Sequence, residues 1–192
     1  AAKKLPLLGL FAAKNLAPEY VRPTDTTEPR LPEMTAAALN ILESAGNNAG
    51  FFLMVEGSLI DSGNHDENLD YQFGEIKAFD EAVKVVLDWI QASPERKDNT
   101  LLIVAPDHDT GGFAVMGMGP KGGENPNAGL GPFKASWVFT LIPGDPVDFE
   151  SHHTGGDVVI WSQGPWSDLL GKAMENTAVY HAIRTAMSGG SR

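Results

Sequence analysis

The chain has no cysteine among its 192 residues. Disulfides and thiolate metal sites are therefore excluded, and any metal centre has to be built from oxygen and nitrogen donors. Positive charge is scarce as well: 14 Lys and Arg stand against 25 Asp and Glu, a formal net charge of −11. That sign argues against nucleic acid and anionic membrane as partners, and an anionic ligand would need a local positive centre. No apolar run approaches the roughly 20 residues of a membrane-spanning helix. The first apolar run, LPLLGLF from Leu5, is short and holds Pro6, so it reads as a strand and not as an export leader. What is present, 42% hydrophobic and 20% charged residues, suits one globular domain with a sizeable core.

Periodicity then divides the chain. Residues 18–32 are rich in Pro, Thr and charge and read as a surface connection. Leu31, Met34, Ala38, Ile41 and Leu42 fall on one face of a helix, and Ile76, Phe79, Val83, Val86, Leu87 and Ile90 on the face of another, over 74–92. GFFLMV from Gly50 and TLLIV from Thr100 read as buried strands, KASWVFTLIPG and DVVIWSQGP as two more. ENTAVYHAIRTAM reads as a closing helix capped by Asn176 or Thr177. Strands alternating with helices imply an α/β sheet that is at least partly parallel. The stretch 111–133, dense in Gly and Pro and without period, reads as a loop or small insertion.

Three polar clusters follow or flank expected strands: Glu56 with Asp61 and His65; Asp107 with His108; His152 with His153. Open α/β sheets place ligands outside the carboxyl ends of their strands, so the clusters can converge. Four of the five histidines lie in them, and His181, in the last helix, reads as a helix-surface or packing residue. Taken singly, each cluster is more often a solvated loop than a ligand set, and Glu56 could simply pair with a lysine. Taken together they describe a site for zinc at the His-bearing positions and for a harder ion such as magnesium at an all-oxygen position. Residues 61–72 are a poor calcium loop, with Gly63, His65 and Gln72 where oxygen ligands belong.

In order along the chain, LMVEGSLIDSGNH, EIKAFDEAV, IVAPDHDTGG, HTGGDV and QGP, with ENTAVYHAI near the end, resemble the C-terminal half of bacterial alkaline phosphatases. The resemblance implies a three-layer sandwich with a mostly parallel central sheet flanked by helices, of which 1–192 would be the C-terminal portion of a single domain. It also implies two Zn2+ and one Mg2+: Asp61, His65 and His153 on one zinc, Asp107 and His108 on the second, and Glu56 on magnesium. The implied chemistry is hydrolysis of phosphate monoesters through a covalent phosphoserine, with the ions clamping an in-line displacement.

In the family the nucleophilic serine, an aspartate bridging the second zinc and magnesium, a further magnesium ligand and a phosphate-binding arginine lie in the N-terminal half, and none is recognised here. Ser62 follows Asp61 but lacks the family's small residues and Thr after it, so it reads as an ordinary loop serine. This chain alone is therefore expected to be inactive, with the N-terminal half of the same enzyme as its partner. Family habit adds a homodimer and a periplasmic or secreted location. The alternatives are a phosphodiesterase or sulfatase of the wider superfamily, or a non-catalytic zinc-binding fragment.

Overall fold

A computed structural model describes residues 7–45, 50–118, 133–137 and 151–189. Among the described residues, four α-helices, α1 (Leu31–Ala45), α2 (Leu59–His65), α3 (Leu69–Gln91) and α4 (Pro94–Asn99), come first, six short strands follow, and α5 (Thr177–Met187) closes the order, so helices and strands are grouped in sequence and do not alternate. The strands are β1 (Leu102–Val104), β2 (Asp109–Thr110), β3 (Ala114–Met118), β4 (Phe133–Ser136), β5 (His153–Thr154) and β6 (Trp161–Gln163). They form three two-stranded ladders, β1 with β6, β2 with β5 and β3 with β4. Two are antiparallel: Leu102 faces Gln163 in one, and Ala114 faces Ser136 in the other, with an irregularity between Val115 and Gly117. The chain divides into two compact units, residues 1–86 with 110–153, and 87–109 with 154–192.

Among the described residues there is no mostly parallel central sheet, and the expected strands at 7–11 and 50–57 do not form. A strand exists only where a neighbour takes up its N–H and C=O groups. Neither segment belongs to any of the three ladders. Segment 50–57 nevertheless keeps a period of two: Phe51, Leu53 and Val55 are half-buried, while Phe52, Met54 and Glu56 are exposed. Most of the KASWVFTLIPG strand, from Val138 on, lies outside the described residues, as does most of the 111–133 loop.

The helices follow their periodicity more closely. α1 begins with the Arg30 N–H donating to Glu33 Oε2 at 2.8 Å, half of a capping box, with Pro32 in the first turn. Its most buried residues are Thr35 and Leu39, and Thr35 Oγ1 is satisfied by the Leu31 carbonyl at 2.8 Å. Ile41, expected on the buried face, is exposed. In α3 the buried stripe runs through Tyr71, Ala78 and Ala82, and the half-buried Glu75 sits on it.

Glu75 belongs to an ion cluster of the first unit. Its Oε1 accepts the Glu19 N–H at 2.7 Å; Glu19 in turn pairs with Arg22 at 3.2 Å and Arg30 at 2.9 Å, and Arg30 also reaches Glu81 at 2.8 Å. Burial pushes the Glu75 carboxyl above its ordinary 4.5, with the Glu19 charge adding to the rise and Arg22, Arg30 and the backbone N–H opposing it. The folded chain thus holds this proton to higher pH than the unfolded chain, and the associated stability is lost as pH rises from 4.5 through the raised value. Glu75→Gln is expected to remove that part of the decline. Midpoints of thermal unfolding taken from pH 4 to 7 in chelator check it, and an unaltered pH profile would count against the burial effect.

In the second unit, Gly164 follows β6 at φ +100, and a Cβ built there would lie 2.0 Å from the Thr100 carbonyl oxygen. The glycine of the QGP motif is therefore required by the close approach of two backbone segments. Arg96 lies 4.5 Å over the Trp89 ring and donates to the Trp89 carbonyl at 2.9 Å, which holds α4 against the end of α3.

Candidate metal centre

Asp61 and His65 do not come from a loop. They sit on α2, and as positions i and i+4 they share one face. Seven residues containing Ser62, Gly63 and Asn64 make a weak helix by propensity, so its stability has to come from outside it. Asn64 supplies part of this: its Oδ1 accepts from Gln72 Nε2 at 2.7 Å and from Trp137 Nε1 at 3.1 Å. Tyr71 and Ser62 share a side-chain hydrogen bond, and burial raises the Tyr71 phenol above 10.0. Ser62 is thereby occupied in a structural contact.

The helix ends in a Schellman arrangement. The Glu67 N–H donates to the Asn64 carbonyl at 3.1 Å and the Asn68 N–H to the Gly63 carbonyl at 3.0 Å. Glu67 occupies the left-handed position, φ 50, where Gly or Asn is usual. Asn68 then caps α3, its Oδ1 accepting the Tyr71 N–H at 3.1 Å, which is why that helix starts five residues ahead of 74.

His153, on β5, meets the two α2 residues. His65 Nε2 lies 3.3 Å from Asp61 Oδ2, His153 Nε2 lies 3.4 Å from Asp61 Oδ1, and the two Nε2 atoms are 3.1 Å apart. Tetrahedral zinc with bonds of about 2.0–2.1 Å sets its ligand atoms about 3.3 Å from one another. Each of the three separations is close to that spacing, although the two imidazoles meet different oxygens of Asp61, and two imidazoles with one carboxylate are donors that zinc accepts. All three side chains are partly open to solvent.

The donors are oriented from behind. Thr110, buried, gives its hydroxyl proton to Asp61 Oδ1 at 2.5 Å. His65 Nδ1 meets the Ser151 carbonyl; since a carbonyl only accepts, Nδ1 carries a proton, and in the neutral ring Nε2 is then the nitrogen with the lone pair. His152 stands edge-on to the His65 ring, centroids 6.3 Å apart, and its own carbonyl accepts the Gly111 N–H at 2.8 Å. Gly111 has φ +70, and a Cβ there would come within 2.8 Å of the Ser151 Cβ and 2.9 Å of Trp137. The first glycine of the TGG motif thus leaves room for Ser151.

Asp107 and His108 belong to the second unit and face each other, Asp107 Oδ2 to His108 Nε2 at 3.2 Å, with Asp107 largely exposed. Glu56 is exposed at the end of segment 50–57, just before α2. Sequence reasoning missed Asn64, Glu67, Thr110 and Ser151. The one available signal was Glu67, a non-glycine residue at a helix end where HDEN, from His65 to Asn68, offers no glycine.

The sequence pattern of the family described as alkaline phosphatase matches residues 1–136. The chain is 39% identical over 119 residues to alkaline phosphatase 4 of Bacillus subtilis, covering 62% of this chain and 24% of that protein. It is 32% identical over 213 residues to the tissue-nonspecific alkaline phosphatase isozyme of Gallus gallus, covering 94% of this chain and 39% of that one. Among solved structures, a variant of TAB5 alkaline phosphatase with Mg bound in its M3 site superposes with a TM-score of 0.61 at 27% identity, over 84% of this chain and 42% of that chain. The chain spans less than half the length of each of these proteins. A family pattern that takes in residues 1–136 of 192, together with an alkaline-phosphatase-like fold, makes the chain a member of the alkaline phosphatase family.

Proposed function

We propose that this chain provides part of the metal centre of a phosphate monoester hydrolase, with Asp61, His65 and His153 as the three protein ligands of one zinc. The observation that carries this reading is the convergence of the three side chains, with donor atoms 3.1, 3.3 and 3.4 Å apart and one Asp61 oxygen toward each imidazole. Asp107 and His108 are assigned to a second zinc and Glu56 to magnesium, on the match of their motifs to the family. When bound, such ions would stabilise the charge of a transferring phosphoryl group and its leaving oxygen.

The chain's own residues prepare that centre. In its neutral form His65 turns a lone pair on Nε2 toward the centre, because the Ser151 carbonyl holds the Nδ1 proton. Asp61 sets one oxygen toward each imidazole while Thr110 fixes the carboxylate plane, so the donors need little reorganisation. Ser62 faces Tyr71 and lacks the small residues and Thr that follow the nucleophile in the family, so it is not assigned that role. The nucleophile is assigned to a further part of the enzyme, corresponding to the N-terminal half of the relatives, and with it the family's homodimer and a periplasmic or secreted location.

The 192 residues alone are expected to show no turnover of p-nitrophenyl phosphate, and activity is expected once they are combined with the corresponding N-terminal half. Serine-dependent hydrolysis by the isolated chain would overturn the assignment of the nucleophile. A panel of phosphate monoesters, diesters and sulfate esters run on the combined protein separates the phosphatase from the related phosphodiesterases and sulfatases. Zinc uptake without activity in the combined protein would leave a non-catalytic zinc-binding role.

A further inference from the structure

Glu67 presents an unusual combination: a left-handed backbone at φ 50 on a residue with a long charged side chain. Holding a non-glycine residue there costs on the order of 1 kcal/mol or more, and the helix end would be better served by glycine. The side chain has a specific use. Its Oε1 accepts the hydroxyl proton of Ser151 at 3.0 Å, and Ser151 has no solvent exposure at all. The carbonyl of that same Ser151 takes the Nδ1 proton of His65. Helix end, buried serine and imidazole thus form one closed circuit: Glu67 stands two residues beyond His65 and returns to it through a residue 84 positions further on.

We propose that Glu67 and Ser151 are positioning residues, which hold the His65 imidazole in the tautomer and orientation that turn Nε2 toward Asp61 and His153. The inference rests on the metal reading of that triad. A ring nitrogen faces a metal productively only if the other nitrogen is held by a fixed acceptor, and loss of such an outer partner costs 10- to 100-fold in metal affinity. Ser151 is suited to the task because its carbonyl belongs to the main chain and its hydroxyl is tied to Glu67. The missing Cβ of Gly111 leaves it the space it fills.

Three variants of the whole chain test this: Glu67→Gly, Glu67→Gln and Ser151→Ala. Glu67→Gly removes the acceptor and relieves the backbone, so it is expected to fold at least as stably as the parent while binding Zn2+ about 10-fold or more weakly. Ser151→Ala keeps the carbonyl but loses the tether, with a similar loss expected. Glu67→Gln retains an acceptor oxygen and is expected to stay within about 3-fold of the parent, within the range of a kept hydrogen bond. A residue with a merely structural role would shift stability and affinity together.

Nitrogen-15 correlation spectra of the histidines in the metal-free chain give a second readout. His65 is expected to be the Nδ1–H tautomer in the parent and a tautomer mixture in Glu67→Gly. Parent-like zinc affinity in Glu67→Gly, or an Nε2–H tautomer in the parent, overturns the proposal alone. A parent chain that takes up no Zn2+ overturns the metal reading itself and the proposal with it.

Discussion

Asp61→Ala is expected to bind Zn2+ at least about 100-fold more weakly than the parent chain, since loss of an outer hydrogen-bond partner already costs 10- to 100-fold and this substitution removes a ligand. Asp61 is also the only carboxylate in the triad, and one of its oxygens lies against each imidazole, at 3.3 and 3.4 Å. Without it two neutral imidazoles would have to hold a dication. The loss has a thermal readout. Zinc at about 100 times its dissociation constant stabilises the native state by about 2.7 kcal/mol, whereas a 100-fold weaker site at the same concentration leaves about 0.4 kcal/mol. For a chain of this size the first figure corresponds to roughly 5–10 °C in Tm. The zinc-induced shift, reversed by chelator, should be present in the parent and nearly absent in Asp61→Ala. Asp66→Ala, which removes a neighbouring exposed carboxylate, should retain it. Equal shifts in all three proteins would show that zinc binds elsewhere.

Gly164→Ala is expected to cost about 3 kcal/mol or more, since the added Cβ would make the shortest approach found at any described glycine. Two penalties add. The backbone at φ +100 is closed to L residues, and the new Cβ would stand 2.0 Å from the Thr100 carbonyl oxygen, a main-chain atom that no rotamer change can move aside. Relief requires the turn after β6 to part from the segment entering β1, which starts to open the ladder in which Leu102 faces Gln163. A loss on this scale lowers Tm by roughly 10 °C. Tryptophan fluorescence is a suitable probe, because Trp89, Trp161 and Trp166 all lie in this unit. A midpoint within a degree of the parent would mean that the Thr100 segment yields freely.

The amphipathic helices α1, α3 and α5 were legible because their pattern is local: a 3.6-residue period survives without knowledge of the neighbours. The beginning of α3 was not, because it depends on Asn68 folding its side chain back onto Tyr71. Helix α2 was hidden by its own composition and is held by the Asn64 contacts to Gln72 and Trp137, which no window of sequence reveals. Strands at 7–11 and 50–57 were expected from apolar runs, yet pairing is a property of two segments and not of one. The convergence of Asp61, His65 and His153 was anticipated through the family resemblance and the clustering of histidines. The groups behind them were not: the Ser151 carbonyl has no side-chain signature, and Thr110 is an unremarkable residue until its distance to Asp61 is known.

Segment 50–57 also determines how the isolated chain should behave in a tube. Phe52 is 56% and Met54 67% exposed on a stretch with no proline and one charge, outside every ladder. Such a margin recruits any similar margin it meets, so copies of the bare chain will self-associate as concentration rises. Sedimentation or light scattering on this material would then record the stickiness of an exposed apolar segment.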